Sequence, residues 1–277
     1  MDALNHVDAL KDKNTTLNTW LQQGSLQDAL EQVKENIRSR PEDIRERWLL
    51  FQIACFMGDW ERALKQLQVC GQIDPEYEQV AQVMRGLIRS EALRAQVLAG
   101  KNTPGYVIDQ PPEWVLFLLE ALRAASNGDI EQADATREQA LSAVPDSPGE
   151  IDGAPFAWIS DTDTRLGPVC ELVVAGRYRW CPFCELSSLR LHAPQGFLDL
   201  LWARADCTLR DGTVLQAYVP ARYPGSENGT DAIRLSRETA WQEQGTTGIV
   251  GLGQKTWMTD MGDHGLLDLR EISFFAA

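Results

Sequence analysis

Along the first half of the chain, apolar residues recur three and four positions apart, as at Trp60, Leu64 and Leu67. That spacing places them on one face of a helix. Past Pro145 the rhythm changes, and short apolar runs alternate with Gly, Pro, Asp and Asn, the pattern of strands joined by turns. Helices are therefore expected first and strands second.

The helical half repeats itself. Gly24, Gly58 and Gly128 are each followed by an alanine five residues on (Ala29, Ala63, Ala133) and a proline seventeen residues on (Pro41, Pro75, Pro145). The first two glycines lie 34 residues apart and the third 70 further, close to two more periods. Glycine accepts the left-handed backbone that ends a helix, a small alanine lets the next helix approach, and proline stops it. A helix–turn–helix period of 34 is the tetratricopeptide pattern, and Gly58-Asp59-Trp60-Glu61-Arg62-Ala63-Leu64 fits its central turn. Cys70 and Ala140 fall where that repeat wants a small residue. The stretch from Glu76 to Gly100 lacks the landmarks, and Lys101 to Pro112 reads as an inserted loop. Residues 1–145 are thus expected to form a short, imperfect TPR-like solenoid.

Such solenoids present a concave face that holds a partner's helix or extended peptide. The repeat register puts Arg45, Trp48 and Gln52 on the inner helix face as partner-binding candidates. Trp48 also suits the core, because Trp48-Leu49-Leu50-Phe51 is apolar on several sides and exposed tryptophan is unfavourable.

The breaker cluster Pro145-Asp146-Ser147-Pro148-Gly149 marks a domain boundary. It predicts a linker over 146–160 and a β-rich domain over 161–277. Val169–Ala175 and Tyr178–Phe183 read as strands around Gly176. Cys207–Arg210 and Thr213–Val219 flank Asp211-Gly212, a hairpin signal. Gln254–Thr259 and Leu266–Phe274 read as a closing pair, and Asp231–Trp241 as a helix. The predicted fold is multidomain α and β: a helical solenoid followed by a mainly antiparallel β (α+β) domain.

Charge and composition then narrow the function. A net charge of −14 repels phosphate backbones and anionic lipid, so neither nucleic acid nor membrane is an expected partner. No apolar run approaches the ~20 residues of a bilayer span. Met1–Lys13 mixes acids and bases without an apolar core, unlike a signal peptide. A cytoplasmic protein with six reduced cysteines is expected.

Candidate chemistry is thin. Cys181-Pro182-Phe183-Cys184 has the spacing of thiol–disulfide oxidoreductases, but it ends a hairpin strand rather than opening a helix after a buried strand. Cys170, Cys207 and His192 are the nearest further ligand types for zinc, and none forms a second paired spacing. Gly248-Ile249-Val250-Gly251-Leu252-Gly253-Gln254-Lys255-Thr256 nearly spells a phosphate-binding loop, but Gln254 displaces the lysine; the glycines are expected to form a flexible turn into a strand. No G-x-S-x-G elbow accompanies the three histidines. Asp161-Thr162-Asp163 and the Asp260–Asp263 pair read as solvated loop charge. No cofactor or metal is expected, and the reading is non-enzymatic.

Several segments carry a resemblance. Asp161-x-Asp163-x-Arg165-Leu166-Gly167-Pro168 is followed by Gly176-Arg177-Tyr178-x-Trp180-x-Pro182-Phe183, then Trp202-Ala203, Pro220-Ala221-Arg222-Tyr223-Pro224-Gly225-Ser226, Leu252-Gly253-Gln254 and Leu267-Asp268-Leu269-Arg270. Together they resemble the ImpE/SciE family, also called TagJ, over nearly the whole chain. The resemblance implies an accessory role in bacterial type VI secretion, with the small sheath subunit and a ClpV-type AAA+ ATPase as partners and no catalytic residues. It leads to a non-enzymatic adaptor whose helical half grips a short helix of a sheath component. Arg222 and Tyr223 join the partner-binding candidates; the alternative for their loop is a structural brace in which Arg222 pairs with Asp206 or Glu227. The rival readings are a thiol- or metal-dependent enzyme on Cys181 and Cys184, and a general TPR scaffold outside secretion.

Overall fold

The computed structural model describes residues 25–275; Gly24, His6 and the whole Met1–Lys13 stretch lie outside the described residues. Ser25 opens α1 (Leu26–Ser39) with a reciprocal capping box, its side chain accepting from the Asp28 amide while the Asp28 carboxylate accepts from the Ser25 amide. Next come α2 (Ile44–Phe56) and α3 (Trp60–Ile73). Between them Gly58 adopts φ 70°, and Asp59 caps α3 by accepting from the Arg62 amide. The same device recurs between α5 (Glu113–Ser126) and α6 (Ile130–Ser142): Gly128 has φ 83° and Asp129 accepts from the Gln132 amide. Ala63, Cys70, Ala133 and Ala140 are all buried, as the repeat requires.

The stretch without landmarks is not a helix pair. Residues 77–98 form one 22-residue helix, α4 (Tyr77–Leu98), and the loop after it replaces a second helix. That loop carries β1 (Gly105–Tyr106), which pairs in parallel with β6 (Arg177–Pro182).

The segment expected to be a linker is instead structured. β2 (Gly149–Ile151) and β3 (Ala154–Phe156) end the main sheet, and β4 (Ile159–Asp161) joins a smaller one. The helical region ends at Ser142, ahead of Pro145 and Pro148, but Ile151 and Phe156 then turn inward from short strands. With β5 (Val169–Val174), β7 (Leu186–Leu191), β8 (Trp202–Leu209), β9 (Val214–Pro220) and β14 (Glu271–Phe274), the nine-stranded order is β1-β6-β5-β9-β8-β7-β14-β2-β3. The Asp211-Gly212 turn joins β8 to β9 as expected, with Gly212 at φ 87°.

Two local expectations fail. Only Asp231–Arg234 is helical (α7); the chain then turns at Ser236, φ 54°, into β10 (Thr239–Gln244), which pairs with β11 (Gly248–Gly253). The expected closing pair does not form either. β12 (Thr256–Thr259) pairs with β13 (Gly262–Gly265) and β4, while β14 inserts between β7 and β2.

The largest departure is the trough. Trp48, Phe51, Phe56, Ala81 and Met84 share one hydrophobic core with Val173, Phe197, Leu198, Leu201, Trp202 and Leu235. Phe56 meets Phe197 edge-on at 6.1 Å, and Trp60 lies 6.3 Å from Trp202. Gly86 on α4 sits so close to the β5–β6 turn that an added Cβ comes within 2.9 Å of the Gly176 Cα. The chain's own C-terminal half therefore fills the inner face of α1–α4. A second shared core joins Val97, Trp114 and Leu118 to Leu166, Val169 and Trp180.

Candidate functional site

The family-like segments converge on the seam between helices and sheet, and they do so through buried charge. Lys255 Nζ lies 2.6 Å from Asp161 Oδ2 and 2.8 Å from Glu171 Oε2, with all three side chains fully inaccessible. Arg94, near the carboxyl end of α4, grips the same Glu171 with two bonds, Nε to Oε1 at 2.7 Å and Nη2 to Oε2 at 2.8 Å. Tyr178 donates to Glu171 Oε1 at 2.5 Å and accepts from Trp180 Nε1 at 2.6 Å. Tyr223 donates to Asp161 Oδ1 at 2.7 Å and accepts from the Thr256 amide at 3.0 Å. Asp163, also buried, holds Arg165 at 2.5 Å and receives the Gly251 amide at 3.0 Å.

The two central carboxylates are held differently. Burial alone raises the pKa of Glu171, but the charges of Arg94 and Lys255 outweigh it and hold the carboxyl well below its usual range. For Asp161 burial wins, helped by nearby Asp163, and pushes the carboxyl up to about 6 despite Lys255. Asp161 and Asp163 are thus interior groups, correcting their reading as solvated loop charge. Asp163 finds Arg165 two residues on, but local sequence is silent on the partners of Asp161, Tyr223 and Lys255, which stand 62 and 94 residues away.

The near phosphate loop resolves in the same way. Residues 248–253 form the regular strand β11 rather than a flexible turn, and Lys255 is fully committed to its two carboxylates.

Of the candidate partner-binding residues, only Arg45 is exposed, in the first turn of α2. Trp48 and Gln52 are 1% and 3% exposed, and Arg222 and Tyr223 are 5% and 0%. Arg222 does not pair with Asp206 or Glu227. Its Nη1 donates to the carbonyls of Phe56 (2.9 Å) and Arg234 (2.8 Å), and its Nη2 to Cys55 (3.2 Å). Those α2 carbonyls are ones a helix end leaves without an intrahelical partner, and a cation there also opposes the helix dipole. Arg222 and Tyr223 therefore brace the fold from its interior and offer no surface to a partner.

The thiols sit in apolar surroundings. Cys170 faces Cys181 across the β5–β6 ladder. Burial pushes all of these thiols up, Cys184 to about 11 and Cys207 to about 12. Cys181 precedes a single 3₁₀ turn at a strand end, without the helix N-terminus that makes such a thiol reactive. Among the described residues, no group of three or more His, Cys, Asp or Glu is placed to hold a metal ion.

A cleft of about 800 Å³ lies open along α5, the start of α6 and the inserted loop. Leu116, 50% exposed, lies on its wall with Leu119 and Tyr106, and Glu120, Arg123 and Asp129 also line it. Sequence reasoning missed this site. Its signal is present in Trp114-Val115-Leu116-Phe117-Leu118-Leu119, which is apolar around the whole helix and so carries more apolar surface than one core needs.

These features define a class: tetratricopeptide-like helices sealed onto an antiparallel sheet by shared cores and the buried Arg94–Glu171 pair, with a partly apolar cleft left on the terminal helix pair. Residues 153–273 match the ImpE protein family. The chain is 45% identical to the type VI secretion system accessory component TagJ of Pseudomonas aeruginosa, over 92% of this chain and 89% of that one. It belongs to the ImpE/TagJ family. A crystal structure of protein VPA1032 from Vibrio parahaemolyticus is similar throughout, with a TM-score of 0.85 at 26% identity, covering 93% of this chain and 96% of that one. Among the described residues, no helix is long and apolar enough to cross a membrane.

Proposed function

We propose that this protein is an accessory adaptor of a type VI secretion system, without catalytic activity of its own. It takes a short amphipathic helix of the small sheath subunit into the cleft beside Leu116 and works alongside a ClpV-type ATPase in the cytoplasm. The observation that carries the reading is the contrast between the closed inner face of α1–α4 and the open apolar wall of α5. The family membership supports the secretion role, and the buried Cys181 and half-buried Cys184, whose thiols burial pushes up, weigh against nucleophilic chemistry.

An amphipathic helix laid in an apolar groove draws most of its affinity from a few anchors, and Leu116 and Tyr106 are suited to receive them. The test is a pull-down with purified small sheath subunit, with and without its first helix, against wild type and Leu116→Asp. Capture that depends on both the helix and Leu116 supports the reading. Equal capture of both subunit forms overturns it.

A further inference from the structure

The two-stranded unit of β10 and β11 has two outer edges, and they are treated very differently. The Gln254 amide donates to the Glu238 carbonyl at 2.9 Å, which fixes the alternation of the ladder. Ala240, Gln242 and Gln244 point their backbone groups at β11, while Trp241 and Glu243 turn theirs outward. On β11 the outward groups are taken: Thr164 donates to the Ile249 carbonyl at 3.0 Å and Thr164 Oγ1 accepts the Ile249 amide at 2.8 Å. The Gly251 amide goes to Asp163. On β10, among the described residues, no backbone hydrogen bond reaches the outward groups of Trp241 and Glu243.

An open edge normally carries a blocking device. The main sheet ends in β1, two residues long, and in β3, three residues with Pro155 at its centre. β10 runs six residues, Thr239-Ala240-Trp241-Gln242-Glu243-Gln244, with no proline and no lysine, and five of the six are exposed. It also fronts a recess. Gln242, Glu243 and Gln244 in succession line a cleft of about 420 Å³. Val250, the cross-strand partner of Gln242, lines it too, so the recess lies against the Gln242–Val250 face of the hairpin and reaches round to the open edge at Glu243.

We infer that β10 is a docking edge for an extended, positively charged segment of a partner protein, which adds to the sheet as a third strand. Charge selects that occupant. Glu238 precedes the strand and Glu243 lies within it, against one exposed cation, Arg237, at its start, and the recess is walled by Leu98 and Ser126 at the carboxyl ends of α4 and α5, where carbonyls attract cations. Arg137 and Arg165 also line the recess, but each is paired, with Asp134 and Asp163. A second copy of this chain, itself carrying −14, fits the same edge poorly. This surface is separate from the cleft beside Leu116 and does not depend on it.

The test is a random octapeptide array probed with the full chain. Bound peptides should be enriched in Lys, Arg and β-branched residues. Glu243→Pro, which removes one outward amide but leaves the ladder to β11 intact, should weaken them at least tenfold. Glu243→Lys should shift selection toward acidic peptides, and Leu116→Asp should leave selection unchanged. A selected peptide should slow hydrogen exchange at the Trp241 and Glu243 amides of the wild-type chain. Equal binding by Glu243→Pro, absence of exchange protection with bound peptide, or protection that appears with protein concentration alone would each overturn the proposal, the last by identifying a second copy as the occupant.

Discussion

Gly58 and Gly128 stand at the same place in the same repeat motif, adopt the same left-handed turn, and live in different surroundings. A Cβ on Gly58 meets Glu227 of the C-terminal half at 2.8 Å, whereas around Gly128 there is nothing within 4 Å. The motif dictates the turn, because the turn is local. Whether a helix pair is sealed or left open depends on what the rest of the chain brings to it. Around Gly58 it brings Arg222, Phe197 and Trp202; along α5 it leaves Leu116 uncovered.

This contrast is most severely tested at Lys255. Replacing it with Met leaves Asp161 and Glu171 buried with less compensation, and truncating one partner of a buried ion pair costs about 3–5 kcal/mol. Urea denaturation should record a loss of that order; a change under about 1 kcal/mol means the buried cluster of Asp161, Glu171 and Lys255 does not secure the β-rich half onto which Arg94 locks.

Glu171→Gln probes the same seam by pH. The folded carboxyl lies below its ordinary value of 4.5, so its contribution is fully present above that pH and fades as pH falls further. The stability gap between wild type and variant should therefore be widest at neutral pH and narrow under acid. Asp161 has the opposite sign: raised from 3.8 to about 6, its share of stability declines as pH rises between those values. Asp161→Asn should flatten that part of the stability profile.

Next in size is Arg222→Leu, which removes the donor to the Phe56 carbonyl at the end of α2 and leaves the Cys55 carbonyl to the Gly58 amide. Hydrogen bonds from a charged donor are worth about 1.5–3 kcal/mol, and thermal unfolding should register a loss in that range.

The paired substitutions Gly58→Ala and Gly128→Ala sharpen the contrast directly. Both meet the penalty of a positive φ, and Gly58→Ala should lose about 1 kcal/mol more because the Glu227 side chain must move. Equal losses would mean that Gly58 is no more enclosed than Gly128. Smallest of all, Leu116→Asp should change stability by no more than about 0.5 kcal/mol, as for ordinary surface sites, while removing sheath-helix capture.

What the sequence disclosed follows the same division. The glycine-marked turns, the small residues packed against them and the Asp211-Gly212 hairpin are local, and they lie where the pattern puts them. The placement of Asp161, Lys255 and Arg222 was not legible, because their partners stand 94 residues away for the first pair and 166 for Arg222 and Phe56. One clue was available: Glu171 is a lone charge inside Val169-Cys170-Glu171-Leu172-Val173-Val174. A carboxylate in so apolar a strand demands a buried cation, although nothing nearby names Arg94 or Lys255. The filling of the trough was equally hidden, since an inner helix face reads as apolar whether it awaits a visitor or its own sheet.

The position of β14 in the sheet has a consequence for biosynthesis. Residues 271–274 emerge from the ribosome after every strand they touch, yet they separate β7 from β2 and bond to both. Until they arrive, the nascent chain holds two incomplete half-sheets with raw facing borders, which only the late-coming strand stitches into one. A premature stop just upstream of Glu271 therefore releases a product that nothing else in the chain can repair, and quality-control proteases should clear it.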